Sequence, residues 1–190
     1  FELADRIAQA RAVKPILGYS HDMAASACYA IGAACTALYT PAAGALGSIG
    51  VVMAVLDQSG SDAREGVKVV HLYAGKRKVD GNPHEPLGDE ARAVMQSQVD
   101  QLYGIFVAKV AAYRGMDEAR VRATEAGVFI GEAAVSAGLA DGVLSSDEVL
   151  TLAMAGGIMG KPSLEGTTPH EGEPAKGAIP AEEGPCEDCG

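Results

Sequence analysis

Met95, Val99, Leu102, Phe106, Val110 and Tyr113 recur at intervals of 4, 3, 4, 4 and 3 residues. That rhythm winds one apolar stripe along a helix, predicted over residues 88–113, and Gly115 stands where glycines commonly close helices. A second amphipathic stretch opens the chain, with Leu3, Ile7 and Ala10 on one face of a helix at about 2–11. P-I-L-G-Y at 15–19 reads as a short strand, the alanine-rich run at 22–36 as a helix, and V-K-V-V-H-L-Y at 67–73 as a strand buried on both faces. Pro41, Gly44, Gly47 and Gly50 break residues 38–55 into short strands and turns. Shorter helices are predicted at about 117–126, 131–138 and 146–155, with a small strand near 142–144. Strands alternating with helices imply an α/β layered domain, here over residues 1–155.

Beyond that the pattern stops. Residues 156–190 are rich in proline, glycine and glutamate and poor in large apolar side chains. Such a segment buries too little surface to offset its chain entropy, so a disordered tail or linker is expected. At the other end the chain opens inside a helix, with no capping residue before it. It reads as a fragment or processed form whose upstream part is missing, and its charged start is unlike a secretory signal.

Composition narrows the function. Hydrophobic residues make up 48% of the 190, enough for a sizeable core. A formal net charge of −10 argues against a nucleic-acid partner, which needs a basic footprint. No run reaches the roughly 20 apolar residues of a membrane span. Cys28 and Cys35 are expected as buried free thiols. Cys186 and Cys189 form a lone C-x-x-C without a second pair or a neighbouring histidine, so no metal site is expected.

Few residues are placed for catalysis. Ser20, His21 and Asp22 are consecutive, and adjacent side chains cannot converge as a relay requires. His71, His84 and His170 read as structural or solvated. Ser48, in A-L-G-S-I-G-V-V-M at 45–53, is a better candidate. Gly47 and Gly50 give the backbone unusual freedom and let a carbonyl approach main-chain N–H groups, while Leu46, Ile49, Val51 and Val52 keep the surroundings dry, which strengthens bonds to an oxyanion. On the residues alone, a serine in a tight turn remains the commoner reading of this pattern. Lys76, Arg77 and Lys78 likewise read, by themselves, as a solvated basic turn.

The run from Met23 to Met53, with A-A-S-A early and G-S-I-G-V-V-M at its end, resembles the central segment of the signal peptide peptidase (protease IV) family. Y-A-G-K-R-K-V-D-G-N-P-H-E-P-L at 73–87 resembles that family's lysine segment, especially in its bacteriophage-head and prophage form. Y-R-G-M at 113–116 and G-E-A-A-V-S-A-G-L-A-D-G-V at 131–143 continue the likeness, which covers roughly residues 1–145. The resemblance implies a Clp protease/crotonase-like fold, with helices packed on a mixed sheet and its N-terminal part missing. It implies a serine peptidase with Ser48 as nucleophile and Lys78 as general base, supported by Gly47 and by Ser26, whose hydroxyl would orient the lysine amine. An Asp-Ser-Pro-Gly-Gly type segment that supplies an oxyanion N–H is expected upstream of Phe1.

A lysine's ordinary pKa of about 10.4 leaves it protonated at neutral pH. Serving as a base means bringing it to about 7–8, worth roughly 4 kcal/mol, and burial beside other cations supplies such a shift. In an extended segment Lys76 and Lys78 share a face, so physics leaves both open and only the family register selects Lys78. The resemblance further implies a polypeptide substrate, a homo-oligomeric ring, capsid or scaffold proteins as partners, and no cofactor or metal. A ring leaves open whether the dyad lies within one protomer or is shared between neighbours. A phage head-maturation peptidase, in the procapsid or cytoplasm, is the leading expectation. A signal-peptide-degrading enzyme and a non-catalytic capsid component of the same fold are alternatives, and an acyl-thioester enzyme of crotonase type is a more distant one.

Overall fold

The computed structural model describes residues 1–156; the tail expected beyond them, with His170, Cys186 and Cys189, lies outside the described residues. In chain order the elements are α1 (Glu2–Ala10), β1 (Leu17–Tyr19), β2 (Met23–Ala25), α2 (Ala27–Ala33), β3 (Ala37–Thr40), β4 (Ala45–Gly47), α3 (Ser59–Glu65), α4 (Asp89–Arg114), α5 (Glu118–Arg122), β5 (Val128–Ile130), α6 (Glu132–Ser136), β6 (Gly142–Val143) and α7 (Ser146–Met154). The strands form two small sheets. One is parallel throughout in the order β1-β3-β6; in the other, β2 runs parallel to β4 and β5 antiparallel to it. This is the expected α/β layering, with helices laid against mixed sheets.

The core lies where α2 and α4 meet β3 and β4. Tyr29, Ala30 and Ala33 of α2 pack with Leu38, Leu46 and Ile49 and with Phe106, Val107 and Val110 of α4. Alanines and glycines bring the layers close: a Cβ on Gly18 would lie 3.1 Å from Cys35 Sγ. The α4 stripe is buried at Phe106, Val110 and Tyr113, but Leu102, nearer the helix start, is 49% exposed. The first half of α4 thus reaches past the core.

Four features depart from the sequence reading. Residues 22–36 do not form one helix; Met23–Ala25 pair with Ala45–Gly47 as β2, and the helix begins only after Ser26. Here a long-range ladder overrides the helix preference of alanine. Residues 67–73 pair with no strand among the described residues, and Val67, Val70, Leu72 and Tyr73 are exposed. The apolar run is real, but nothing among the described residues covers it. Cys28 is exposed and only Cys35 is buried, because α2 turns residue 28 away from the face that carries Tyr29, Ala30 and Ala33. Finally, α3 and β5 form where no element was expected.

A buried ion pair ties these layers together. Arg114 Nη1 and Nη2 donate to the two carboxylate oxygens of Asp141 at 2.6 and 3.1 Å, and Arg114 Nε donates to Gly138 O at 3.1 Å. Asp141 also accepts the Leu38 amide of β3 at 2.7 Å. One carboxylate therefore joins the end of α4, the turn before β6 and the central strand of the first sheet. The side chains are 4% and 10% exposed, and removing one member of so buried a pair strands the other charge, typically costing about 3–5 kcal/mol. Asp141→Ala is expected to lower the urea-unfolding free energy by about that much, whereas Glu2→Ala, which breaks the exposed Glu2–Arg6 pair, should change it by less than about 1 kcal/mol.

Candidate active site

Two serines follow directly from the pairing of β2 with β4. Ala25 lies opposite Gly47 in register, and the Ser26 amide donates to Gly47 O at 2.9 Å. Ser26 and Ser48 are thus the next residues on two neighbouring parallel strands. Both line a cavity of about 590 Å³ whose other walls include Gly50, Val52, Leu102 and Phe106. Ser26 is exposed and Ser48 half-buried.

Their backbones differ in what they lead into. Ser26 has φ 55° and ψ −125° and hands the chain straight from β2 into α2. Gly131 takes nearly the same conformation, φ 50° and ψ −118°, where β5 passes into α6. Glycine is the residue that tolerates this region, and a side chain there costs on the order of 1–3 kcal/mol. A serine that bears such strain on a sharp strand-to-helix turn presents its hydroxyl at the top of the sheet, as a nucleophile elbow does.

Ser48 also has a positive φ, 53°, but it leads into the irregular segment 51–58 rather than a helix. Its amide donates to Gly127 O at 2.8 Å, and its carbonyl accepts from the Gly50 amide at 3.0 Å. Gly47 and Gly50 are demanded by packing at this point. With φ 129°, Gly47 would set a Cβ 2.4 Å from Gly127 O, and a Cβ on Gly50 would lie 2.7 Å from that of Ala126.

The basic turn lies on a separate cavity. Lys76 Nζ and Arg77 Nη2 both reach Glu90, at 2.9 and 2.6 Å, and Arg77 Nη1 reaches Asp80 at 3.2 Å. Hydrogen bonding from Lys76, followed by the charges of Arg77 and Lys76, holds the Glu90 carboxyl below the usual carboxylate range. Lys78 is exposed, and its amine has no ion-pair or hydrogen-bond partner among the described residues. Ser26 and Ser48 are therefore brought together with Gly47, while neither Lys78 nor Lys76 is among the walls of the serine cavity.

The histidines are engaged elsewhere. His21 Nδ1 is 3.0 Å from the Asp22 carboxylate on an exposed surface. His84 Nδ1 is 2.7 Å from Asp62 Oδ2 and 3.1 Å from Gln58 Nε2. Among the described residues no group of three or more histidine, cysteine or acidic side chains is arranged to hold a metal ion. The sequence reading gave Ser26 only a supporting place. The signal that marks it is A-A-S-A at the end of a strand, which the alanine-rich run disguised as the interior of a helix.

A family model described as peptidase family S49 matches residues 8–157. Over 152 residues the chain is 37% identical to capsid assembly protease C of Escherichia phage lambda, an alignment that covers 80% of this chain and 35% of that protein. It is 36% identical over 152 residues to head-tail preconnector protein GP5 of Enterobacteria phage P21, covering 80% and 30% respectively. Identity to a putative signal peptide peptidase SppA of Enterococcus faecium is 30% over 151 residues, covering 78% and 44%. The chain thus spans less than half the length of each of these relatives.

The strain at residue 26 has a measurable signature. Ser26→Gly is expected to stabilise the fold by about 1 kcal/mol, read as a rise of about 2–4 °C in melting temperature. Gly131→Ser, whose added Cβ would lie 2.4 Å from Ala42 O, is expected to lower it.

Proposed function

Because the chain belongs to peptidase family S49, and carries the Clp protease-like α/β layering of that family, we propose that it is a serine peptidase that cleaves peptide bonds through Ser26, with Lys78 as general base. The observation that carries the choice of Ser26 is its strained passage from β2 into α2, in the cavity it shares with Ser48. Ser48, the nucleophile anticipated from sequence, is assigned the neighbouring role of orienting the lysine amine. The two serines thus exchange the parts that the family likeness alone suggested.

The reaction follows from those positions. A neutral Lys78 amine takes the proton from Ser26 Oγ as that oxygen bonds to the scissile carbonyl carbon, and the carbonyl π electrons move onto oxygen. When the tetrahedral intermediate collapses, the C–N bond breaks and the ammonium returns its proton to the leaving amine. Water then attacks the acyl-Ser26 ester with the same amine as base, which releases the acid and restores the hydroxyl. Lys78 is favoured over Lys76 because Glu90 already holds Lys76, and attraction to a carboxylate opposes loss of a proton.

An exposed amine lacks the burial that a lysine base requires. A homo-oligomeric ring supplies it, with Lys78 of one protomer entering the serine cavity of the next. Two features support this reading: no lysine among the described residues lines the cavity, and the segment just before the turn exposes Val70 and Leu72 with no partner strand among the described residues. The substrates we propose are phage head proteins, processed in the procapsid or cytoplasm, on the strength of the relatives named for capsid assembly and head-tail connection. Degradation of signal peptides is the second reading, favoured by the relative named as a signal peptide peptidase. No helix among the described residues is long and apolar enough to cross a membrane.

The test is peptidase activity together with fluorophosphonate labelling of single variants and of their mixtures. Ser26→Ala is expected to lower kcat/KM by about 10³-fold or more and to abolish labelling. Ser48→Ala should keep the label with about a tenfold loss, and Lys78→Ala should lose about 10²–10⁴-fold. Inactive Ser26→Ala and Lys78→Ala chains, mixed and reassembled, are expected to recover activity, since some sites then combine an intact serine with an intact lysine. Labelling that survives Ser26→Ala and disappears in Ser48→Ala would return the nucleophile to residue 48.

A further inference from the structure

Glu90, the second residue of α4, is held by both residues that precede Lys78 in the basic turn. We propose that Glu90 is a positioning residue for the base: by engaging Lys76 and Arg77 together it holds the turn against α4 and leaves Lys78 as the amine of that turn without a partner among the described residues. This rests on the reading of Lys78 as the base.

The turn is firmly built. The Lys78 amide donates to Gly75 O at 3.0 Å, the Asp80 amide to Arg77 O at 3.3 Å, and the Asn82 amide to Val79 O at 3.1 Å. Gly81 lies so close to α4 that an added Cβ would stand 2.5 Å from Met95 Cε. Glu90 and Met95 are thus both places where the turn meets the helix. That helix is anchored at its far end by buried Phe106 and Val110 and by Arg114 on Asp141. A continuous path of fixed groups runs from the core to the segment that carries the amine.

The same contact sets the charge around Lys78. A cavity of about 260 Å³ beside the turn is lined by its own Lys76, Arg77 and Asp80 and by Glu85 and Glu90. Neighbouring cations favour the neutral form of an amine and neighbouring carboxylates its charged form. Glu90 offsets Lys76 and, together with Asp80, Arg77, so removing it leaves the turn with an excess positive charge, and removing Lys76 and Arg77 leaves it with an excess negative charge. The two changes act on Lys78 with opposite sign. A lysine base is active when neutral, so kcat/KM rises with pH as it loses its proton. Added positive charge moves that rise to lower pH, and added negative charge moves it to higher pH.

The contacts are exposed, with Lys76 and Glu90 side chains 74% and 61% accessible, and exposed pairs contribute little to stability. The melting temperature of Glu90→Gln should therefore match that of the parent chain, and the readout is kinetic. In the assembled protein, Glu90→Gln is expected to lower kcat by about three- to tenfold through lost positioning. It should also move the acid limb of the kcat/KM profile down by about half a pH unit at low ionic strength, an effect that fades in high salt. Lys76→Gln/Arg77→Gln, which removes two positive charges, should move the limb up. The triple variant, still one charge more negative than the parent, should bring it about halfway back, and Glu90→Asp should keep the parent position. A limb that stays in place in both Glu90→Gln and the double variant, or moves the same way in both, overturns the proposal. If Lys78→Ala keeps full activity, the base assignment itself fails and the clamp fails with it. If Lys78→Ala is inactive while Glu90→Gln matches the parent in rate and in limb, the clamp alone is wrong.

Discussion

The parallel pairing of β2 with β4 is the constraint on which the site rests. In a parallel ladder the register of one pair fixes all that follow, so placing Ala25 opposite Gly47 sets Ser26 beside Ser48. That register is held from the far side as well. β4 is the middle strand, and the turn before β5 sends Gly127 O to the Ser48 amide. Gly47 has room for no side chain against that carbonyl. A slip of one residue in either strand would turn its hydroxyl to the opposite face from the other's. Side chains remote from the chemistry therefore fix the spacing of the groups proposed to perform it.

Around this rigid centre the chain divides into two regimes. Residues 1–50 and 104–156 supply most of the buried core and the Arg114–Asp141 lock. Residues 51–88, which carry the basic turn, contain one short helix and a set of local clasps, such as His84 on Asp62 and the Gln58 amide on Pro83 O. A serine peptidase with a lysine base needs both a fixed nucleophile and an amine that can be brought out of water. Assigning the first to the core and the second to an arm separates those demands: one part keeps its geometry alone, and the other takes its final surroundings from what it meets.

Much of the layering was legible from periodicity. The stripe from Met95 to Tyr113 marked α4 within a residue of its observed bounds, since a long helix repeats its pattern many times. Ser145 with Glu148 forms a capping box at the start of α7, close to the helix expected there. Short strands were less visible. Three residues of β2 inside an alanine-rich run offer no alternation to read, and only the ladder with a segment 22 residues further on reveals them. For the same reason Ser26 was legible as a hydroxyl near the site but not as an elbow, because strain is a property of the backbone and leaves no mark in residue type. The stretch 67–73 shows the opposite failure. Its apolar pattern led to the expectation of a strand buried on both faces, but the segment forms no strand and Val67, Val70, Leu72 and Tyr73 are exposed; periodicity marks apolar content without saying whether anything covers it.

That exposed stretch bears on the life of a solitary chain. Val67, Val69, Val70, Leu72 and Tyr73 lie open to water, interrupted by Lys68 and His71, in a segment whose main chain makes no ladder. Sequences of this kind stack readily with their own kind, and a single charge such as Lys68 is a thin safeguard. A chain in which this stretch stays uncovered is then at risk of precipitation or of capture by chaperones. High concentration of uncovered chain is then the hazard, because stacking of such segments rises with the number of copies present.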